Sequence, residues 1–122
     1  MRAIKFRGKS LHDGDWYYGN LYDKDVKGRT HIGTTQCGCL CIDPDTVGEF
    51  TGLTDSQGHD IYEGDILHEG DPTILYQVVW RDCGLQGKQV GSNSYIGLTH
   101  GRDRLVVIGN IYDNPELIKK ED

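Results

Sequence analysis

The amino-acid sequence predicts an all-β protein: a small N-terminal β-sheet lobe packed on a C-terminal SH3-type β-barrel, with a short C-terminal helix. Three observations lead there. Hydrophobic residues make up 36% of the 122, while Gly numbers 17. Gly costs about 1 kcal/mol in a helix interior, so this mixture favours short strands joined by tight turns. Runs of β-branched and aromatic residues, of which Thr73 to Trp80 (TILYQVVW) is the strongest, recur between breaks rich in Gly and Asp. Finally, the stretch VGEFTGLTDSQGHDIYEGDIL, Val47 to Leu67, combines several turn signals between extended segments. The length allows one core, or two small lobes sharing one. The lobes are expected at 1–45 and 46–122.

The elements follow in order. Arg2 to Arg7 alternates basic or small residues with Ile4 and Phe6, the period of a half-buried strand. Asp13-Gly14 is a hairpin signal, and Trp16 to Tyr22 returns as a second strand, rich in aromatics, one side of which is expected to cover the lobe core, with a stacking platform as the alternative. Asp23 to Arg29 reads as a loop, Thr30 to Thr35 and Leu40 to Ile42 as the next strands, and Asp43-Pro44-Asp45-Thr46 as the turn at the lobe boundary.

In the central stretch, Gly52 breaks a short strand, Asp55-Ser56-Gln57-Gly58 forms a tight reversal, and Gly64 permits a second bend into the strand beginning near Asp65. Arg81 to Ser94 holds Gly84, Gly87 and Gly91 and few apolar residues, so it reads as a long mobile connection. Tyr95 to Leu98 is a short strand, His100 to Asp103 a charged turn, and Arg104 to Ile108 a buried strand that Gly109-Asn110 bends into Ile111-Tyr112. Asn114 at an N-cap, Pro115 at the first helical position and Glu116 near the positive dipole end predict a brief helix, with Leu117 and Ile118 inward and Lys119-Lys120 at its end.

The block V-G-x-[YF]-T-G-L-x-D-x-x-G-x-x-I-Y-E-G-D-I stands at Val47 to Ile66, preceded by MRAIKFRGK and WYYGNLY (Met1 to Lys9, Trp16 to Tyr22) and followed by VVIGNIYDNPEL (Val106 to Leu117). In these stretches the chain resembles the YopX-like family of phage and prophage proteins. The resemblance implies the SH3-type architecture and a structural signature at Gly52, Asp55, Gly58, Tyr62, Glu63, Gly64, Asp65, Gly109, Asn110, Tyr112 and Pro115. It implies no settled biochemical activity. Residues 70–103 carry no family pattern.

Charge narrows the function. With 19 acidic and 13 basic residues the net charge is −6, which disfavours long-range attraction to phosphate backbones or anionic lipid. Lys5 and Arg7 still allow a basic strand that meets nucleic acid while Trp16 or Tyr18 stacks on bases; a solvated face on an edge strand is the plainer reading. No run approaches the roughly 20 apolar residues of a membrane span, and the first residues lack the apolar core of a signal peptide, so no membrane partner and a cytoplasmic location, in the host cell if phage-encoded, are expected.

Cys37, Cys39 and Cys41 alternate in CGCLC, with Cys83 far downstream. On a strand they would line one face about 7 Å apart, a poor match to a tetrahedral ion, although a loop at Gly38 with Cys83 or His31 could supply four donors. Reduced, partly buried thiols are the alternative. Glu63 and Asp65 could do acid–base work or fix the bend through backbone N–H bonds. No nucleophile with a paired base and no phosphate-binding loop stands out. The expectation is a non-enzymatic accessory protein without cofactor, acting by self-association as a homo-oligomer or by binding an unidentified host or phage macromolecule. Nucleic-acid binding and a Cys-based metal site are the alternatives.

Overall fold

The computed structural model describes residues 5–22, 27–34, 38–81, 84–98 and 104–118. It is all-β, with strands β1 Phe6–Lys9, β2 Trp16–Tyr22, β3 His31–Thr34, β4 Gly38–Cys41, β5 Gly48–Thr54, β6 Asp60–Tyr62, β7 Asp65–His68, β8 Tyr76–Arg81, β9 Gly84–Gln89, β10 Tyr95–Gly97 and β11 Val106–Asn110. Hydrogen bonding orders them as β4-β3-β2-β1-β5-β6 and β10-β9-β8-β7-β11. Among the described residues neither sheet closes into a barrel. The chain divides into two compact units, Met1–Phe50 and Thr51–Asp122. That division falls inside β5, whereas residues 44–46, where the sequence suggests a boundary, form a 3-10 turn. There the Asp43 carboxylate accepts a hydrogen bond from the Asp45 N–H at 3.1 Å.

In the first unit, β1 and β2 form the expected hairpin, with Phe6 opposite Gly19 and Lys9 opposite Trp16. Its loop is fixed by local chemistry: Asp13 accepts from the Asp15 N–H at 2.8 Å, and Gly14 adopts φ 74°. β1 also pairs with β5, so it is an interior strand and not the edge strand that its charges suggest. The core holds Ile32 and Ile42, both essentially inaccessible. Gly8 is required beneath them, because a Cβ there would collide with the Ile42 side chain. One side of β2 covers the core, and the other carries exposed aromatics. Tyr18 and Tyr22 are about half exposed, at 48% and 52%, and do not cover the core. Strand alternation explains it, since residues i and i+2 share a face and the core side falls to Tyr17, Gly19 and Leu21.

In the second unit the core gathers Ile61, Leu67, Val78, Leu98 and Leu105, with Leu53, Tyr76, Leu85 and Val107 against it. The β5–β6 reversal contributes Leu53 and Ile61, and the Thr51 hydroxyl donates to the Ile61 carbonyl at 2.8 Å, tying the two strands at its base. β8 is the central strand of its sheet, as TILYQVVW suggests, but it starts only at Tyr76 because Asp71 holds Thr73 in a turn through its N–H at 3.0 Å.

Three further expectations are corrected. Residues 84–89 are a strand and not a mobile connection: polar GLQGKQ pairs with β8 from Tyr76↔Gln89 to Arg81↔Gly84, and Gly87 makes room for Ile96 and Tyr76. Main-chain pairing across the sheet stabilises this segment, which apolar content could not reveal. Ile108 is 41% exposed: Leu105 and Val107 face the core, so alternation turns Ile108 away from it, at the point where the register shifts between Val107 and Gly109. The terminal element is a 3-10 turn, Pro115–Leu117, uncapped by the Asn114 side chain. Asn114 Oδ1 instead accepts from the Asn110 N–H at 3.2 Å. The charged turn 100–103 and Lys119-Lys120 lie outside the described residues.

Candidate functional site

The signature carboxylates point inward, onto the backbone. Asp55 is buried, and its Oδ1 accepts from the N–H groups of Gln57 at 2.9 Å and His59 at 2.8 Å. Its Oδ2 accepts from the Val107 N–H at 3.0 Å and lies 3.4 Å from His59 Nδ1. One side chain thus closes the reversal and ties it to β11. Gly58, at φ 86°, completes that reversal with its N–H on the Asp55 carbonyl. Asp65, 2% exposed, does the same at the next bend, where its Oδ2 accepts from the Tyr62 N–H at 2.8 Å. Glu63 stands half-buried beside it, and Gly64, at φ 93°, connects to both neighbouring segments through Val78 and Ile111. Asn110 plays the equivalent part at the C-terminal end, with its Oδ1 accepting from the Tyr112 and Asp113 N–H groups. Pro115 opens the 3-10 turn that follows, and Gly52, at φ 88°, sits exposed within β5.

This geometry has a pH consequence. Burial pushes the Asp55 carboxyl up, but the N–H donors of Val107, His59 and Gln57, with the His59 ring, outweigh it and hold the group below its usual 3.8. The unfolded chain therefore takes up the Asp55 proton first as pH falls. Stability from this group is complete above the unfolded value and is lost as pH drops through it toward the folded one. Asp13 and Asp71 are lowered too, by the Asp15 N–H and the Thr73 hydroxyl respectively. Thermal melts of wild type and Asp55→Asn are expected to converge as pH falls below about 4, because only the wild type loses the Asp55 contribution there. A constant gap down to pH 3 would contradict it.

The other organised feature is the exposed face of the first sheet. Strand pairing sets Arg7 opposite Tyr18 and Lys9 opposite Trp16, so Lys5, Arg7 and Lys9 of one strand share a face with Trp16, Tyr18, Asn20 and Tyr22 of the next. Lys5 Nζ lies 4.6 Å from the centre of the Phe50 ring; the Arg7 guanidinium lies 4.6 Å, and Lys9 Nζ 5.5 Å, from that of Trp16. These are cation–π distances, and they hold the indole in place. Arg7 is only 6% exposed, which makes it a support for Trp16 and leaves Lys5 and Lys9 as the half-buried cations of the surface.

The sequence therefore identifies Lys5, Arg7, Trp16 and Tyr18, and the structure brings all four onto one face. Lys9, Asn20 and Tyr22 belong with them and were legible in the period of two through KFRGK and WYYGNLY. Charge is also unevenly divided. Residues 1–50 hold seven basic and seven acidic side chains and are neutral, whereas 51–122 hold 6 basic and 12 acidic, so the whole −6 falls on the second unit.

On the same face Cys41 Sγ lies 3.3 Å from His31 Nε2. Register puts the Cys39 backbone beside them, opposite Gly33. The Cys39 side chain, Cys37 and Cys83 lie outside the described residues, and among those described no three metal-ligating groups converge. In the second unit a shallow depression of about 320 Å³ is lined by Lys88, Gly91, Ser92, Asn93 and Ile118. There Lys88 Nζ donates to the Ser92 carbonyl oxygen at 3.0 Å.

Fold and site define a two-unit, antiparallel all-β protein whose buried carboxylates organise turns and whose first sheet carries an exposed aromatic row beside a cationic strand. The chain belongs to the YopX family: the family model described as YopX protein matches residues 5–119. No curated protein matches it. Among solved structures it is similar to the crystal structure of protein EF1440 from Enterococcus faecalis, with TM-score 0.62 and 22% identity over 98% of this chain and 100% of that one. That likeness concerns the fold. Among the described residues no helix is long and apolar enough to cross a membrane.

Proposed function

We propose that this is a non-enzymatic accessory protein of phage or prophage type that acts in the cytoplasm by macromolecular binding through the exposed face of its first sheet. Self-association into a homo-oligomer is the second way of using that face. In this reading residues 51–122 are an SH3-type support, in which the β5–β6 reversal supplies Leu53 and Ile61 to the core over β7 and β8. One observation carries the proposal. Tyr18 and Tyr22 remain about half exposed in a row beside a cationic strand, while the signature acids are spent on backbone N–H groups. Large aromatics left in water on a rigid sheet are suited to contact a partner.

Such residues contribute little to folding. The double substitution Tyr18→Ser with Tyr22→Ser is expected to lower the melting temperature by about 5 °C or less. It should also abolish whichever association the wild type shows, read as mass by light scattering over a wide concentration range and as retention on immobilised heparin. A wild type that is monomeric throughout and unretained, or a double variant that behaves like it, would overturn the proposal.

A further inference from the structure

We infer that Cys41 is a site of reversible S-thiolation: its thiol, with His31 as proton acceptor, exchanges with low-molecular-weight disulfides to form a mixed disulfide on the outer face of the first sheet. This reactivity does not depend on the binding role proposed for that face. Three features support it.

The first is the pairing of a nucleophile with a base. In the β3–β4 ladder His31 stands directly opposite Cys41, which sets their Cβ atoms about 5 Å apart on one side of the sheet. The side chains meet there, with Sγ 3.3 Å from Nε2. With its other nitrogen protonated, the imidazole accepts the thiol proton at Nε2, and the thiolate left behind is the nucleophilic form of the sulfur. A thiol and an imidazole within hydrogen-bond reach are the arrangement of an activated cysteine.

The second is orientation. Ile32 and Ile42, the residues that follow the pair in the chain, are buried in the core of the unit at 0% and 1% exposure. Alternation therefore turns His31 and Cys41 to the opposite face, where both are half-buried. A cysteine kept for packing would stand among the isoleucines, shut off from any reagent. Tyr22 lies opposite His31 on β2, so the row Tyr22, His31, Cys41 crosses three strands on the outer side.

The third is restraint of the backbone. The Leu11 N–H donates to the Cys41 carbonyl at 3.1 Å, and the Ile42 N–H donates to the Thr30 carbonyl at 2.9 Å, so the chain is held beside both partners. Thiol and imidazole thus stay paired and need not be ordered anew for each reaction.

The exchange balances. Sγ attacks one sulfur of a disulfide R–S–S–R, a new S–S bond forms as the old one breaks, and RS⁻ departs. The proton taken by His31 passes to that departing thiolate. Cys41 is oxidised to the mixed disulfide while one sulfur of the reagent is reduced to a thiol, and a reducing thiol reverses the step.

The test uses the full chain, reduced and then cleared of reductant, with glutathione disulfide as the probe at neutral pH. Adduct formation is followed by intact mass and assigned to a cysteine by fragment-ion sequencing, in the native protein and in the protein unfolded in urea. Native Cys41 is expected to react at least about tenfold faster than the same residue in urea, and to release the adduct to dithiothreitol. His31→Gln, which keeps a polar group but no base, should slow native Cys41 by about tenfold or more. Cys41→Ser should remove the fast adduct and leave the slower reactions of Cys37, Cys39 and Cys83.

Reaction of native Cys41 no faster than in urea, or a fast adduct confined to another cysteine, would overturn the inference. A fast reaction that is unchanged in His31→Gln would overturn the role of His31. Should that variant not fold, the comparison of native with unfolded wild type decides alone.

Discussion

Asp55→Ala is expected to destabilise the protein by about 3 kcal/mol or more, lowering the melting temperature by about 10 °C or more. The size follows from the number of groups that one carboxylate serves. It accepts from the backbone N–H groups of Gln57, His59 and Val107, at 2.9, 2.8 and 3.0 Å, and the last lies 52 residues away in the sequence. Each hydrogen bond to a charged acceptor contributes about 1.5–3 kcal/mol, although the contributions are not additive and water can replace the partner of an exposed donor. The side chain of Asp55 is itself fully inaccessible. Its loss therefore leaves donors stranded as well as removing bonds. Asp55→Asn should fall between alanine and wild type, since an amide retains one accepting oxygen but places a donor where the second must accept. A melting temperature for the alanine variant within about 2 °C of wild type would show that the reversal holds without its acid.

Gly19→Ala is expected to cost at least about 3 kcal/mol, more than the usual effect of adding one methyl group. A Cβ at this position would collide with the carbonyl oxygen of Gly33 on β3 and would also crowd the Ile32 side chain. The obstructing atom belongs to the backbone of a paired strand, so it cannot move aside as a flexible side chain could. Relief requires β3 to move away from β2, loosening the pairs Asn20↔Gly33 and Leu21↔Ile32 and disturbing the buried Ile32. The comparison is Gly14→Ala in the neighbouring turn, where nothing lies within 4 Å and only the positive φ of 74° opposes the substitution. It should cost about 1 kcal/mol. Chemical denaturation of the two variants separates these cases, and equal losses would mean that the close approach of β2 and β3 is unimportant.

What the sequence makes legible is what is decided over short distances. Asp13-Gly14 and Asp55 to Gly58 turn where they should, because an Asp oxygen meets a backbone N–H a few residues on and Gly accepts a positive φ. The positions decided by pairing between distant segments were harder to read. β9 is polar and is identified only by its ladder with β8; Ile108 falls where β11 shifts register against β7; the Asn114 side chain accepts from the Asn110 N–H instead of capping its own turn. The same distinction runs through the candidate site. Alternation in KFRGK was visible, but the withdrawal of Arg7 against Trp16 depends on the β1–β2 register, and the outward turn of Tyr18 and Tyr22 on which face of β2 meets Ile32 and Ile42.

The binding role is proposed for the first sheet, and the acids of the signature organise backbone. Amide hydrogen exchange at Val107, compared between wild type and Asp55→Asn under native conditions, tests it most directly. Strong protection of that N–H is expected in the wild type and a loss of about tenfold or more in the variant, with smaller losses at Gln57 and His59. Equal protection of Val107 in both proteins would contradict it, because the carboxylate would then be available for some other task.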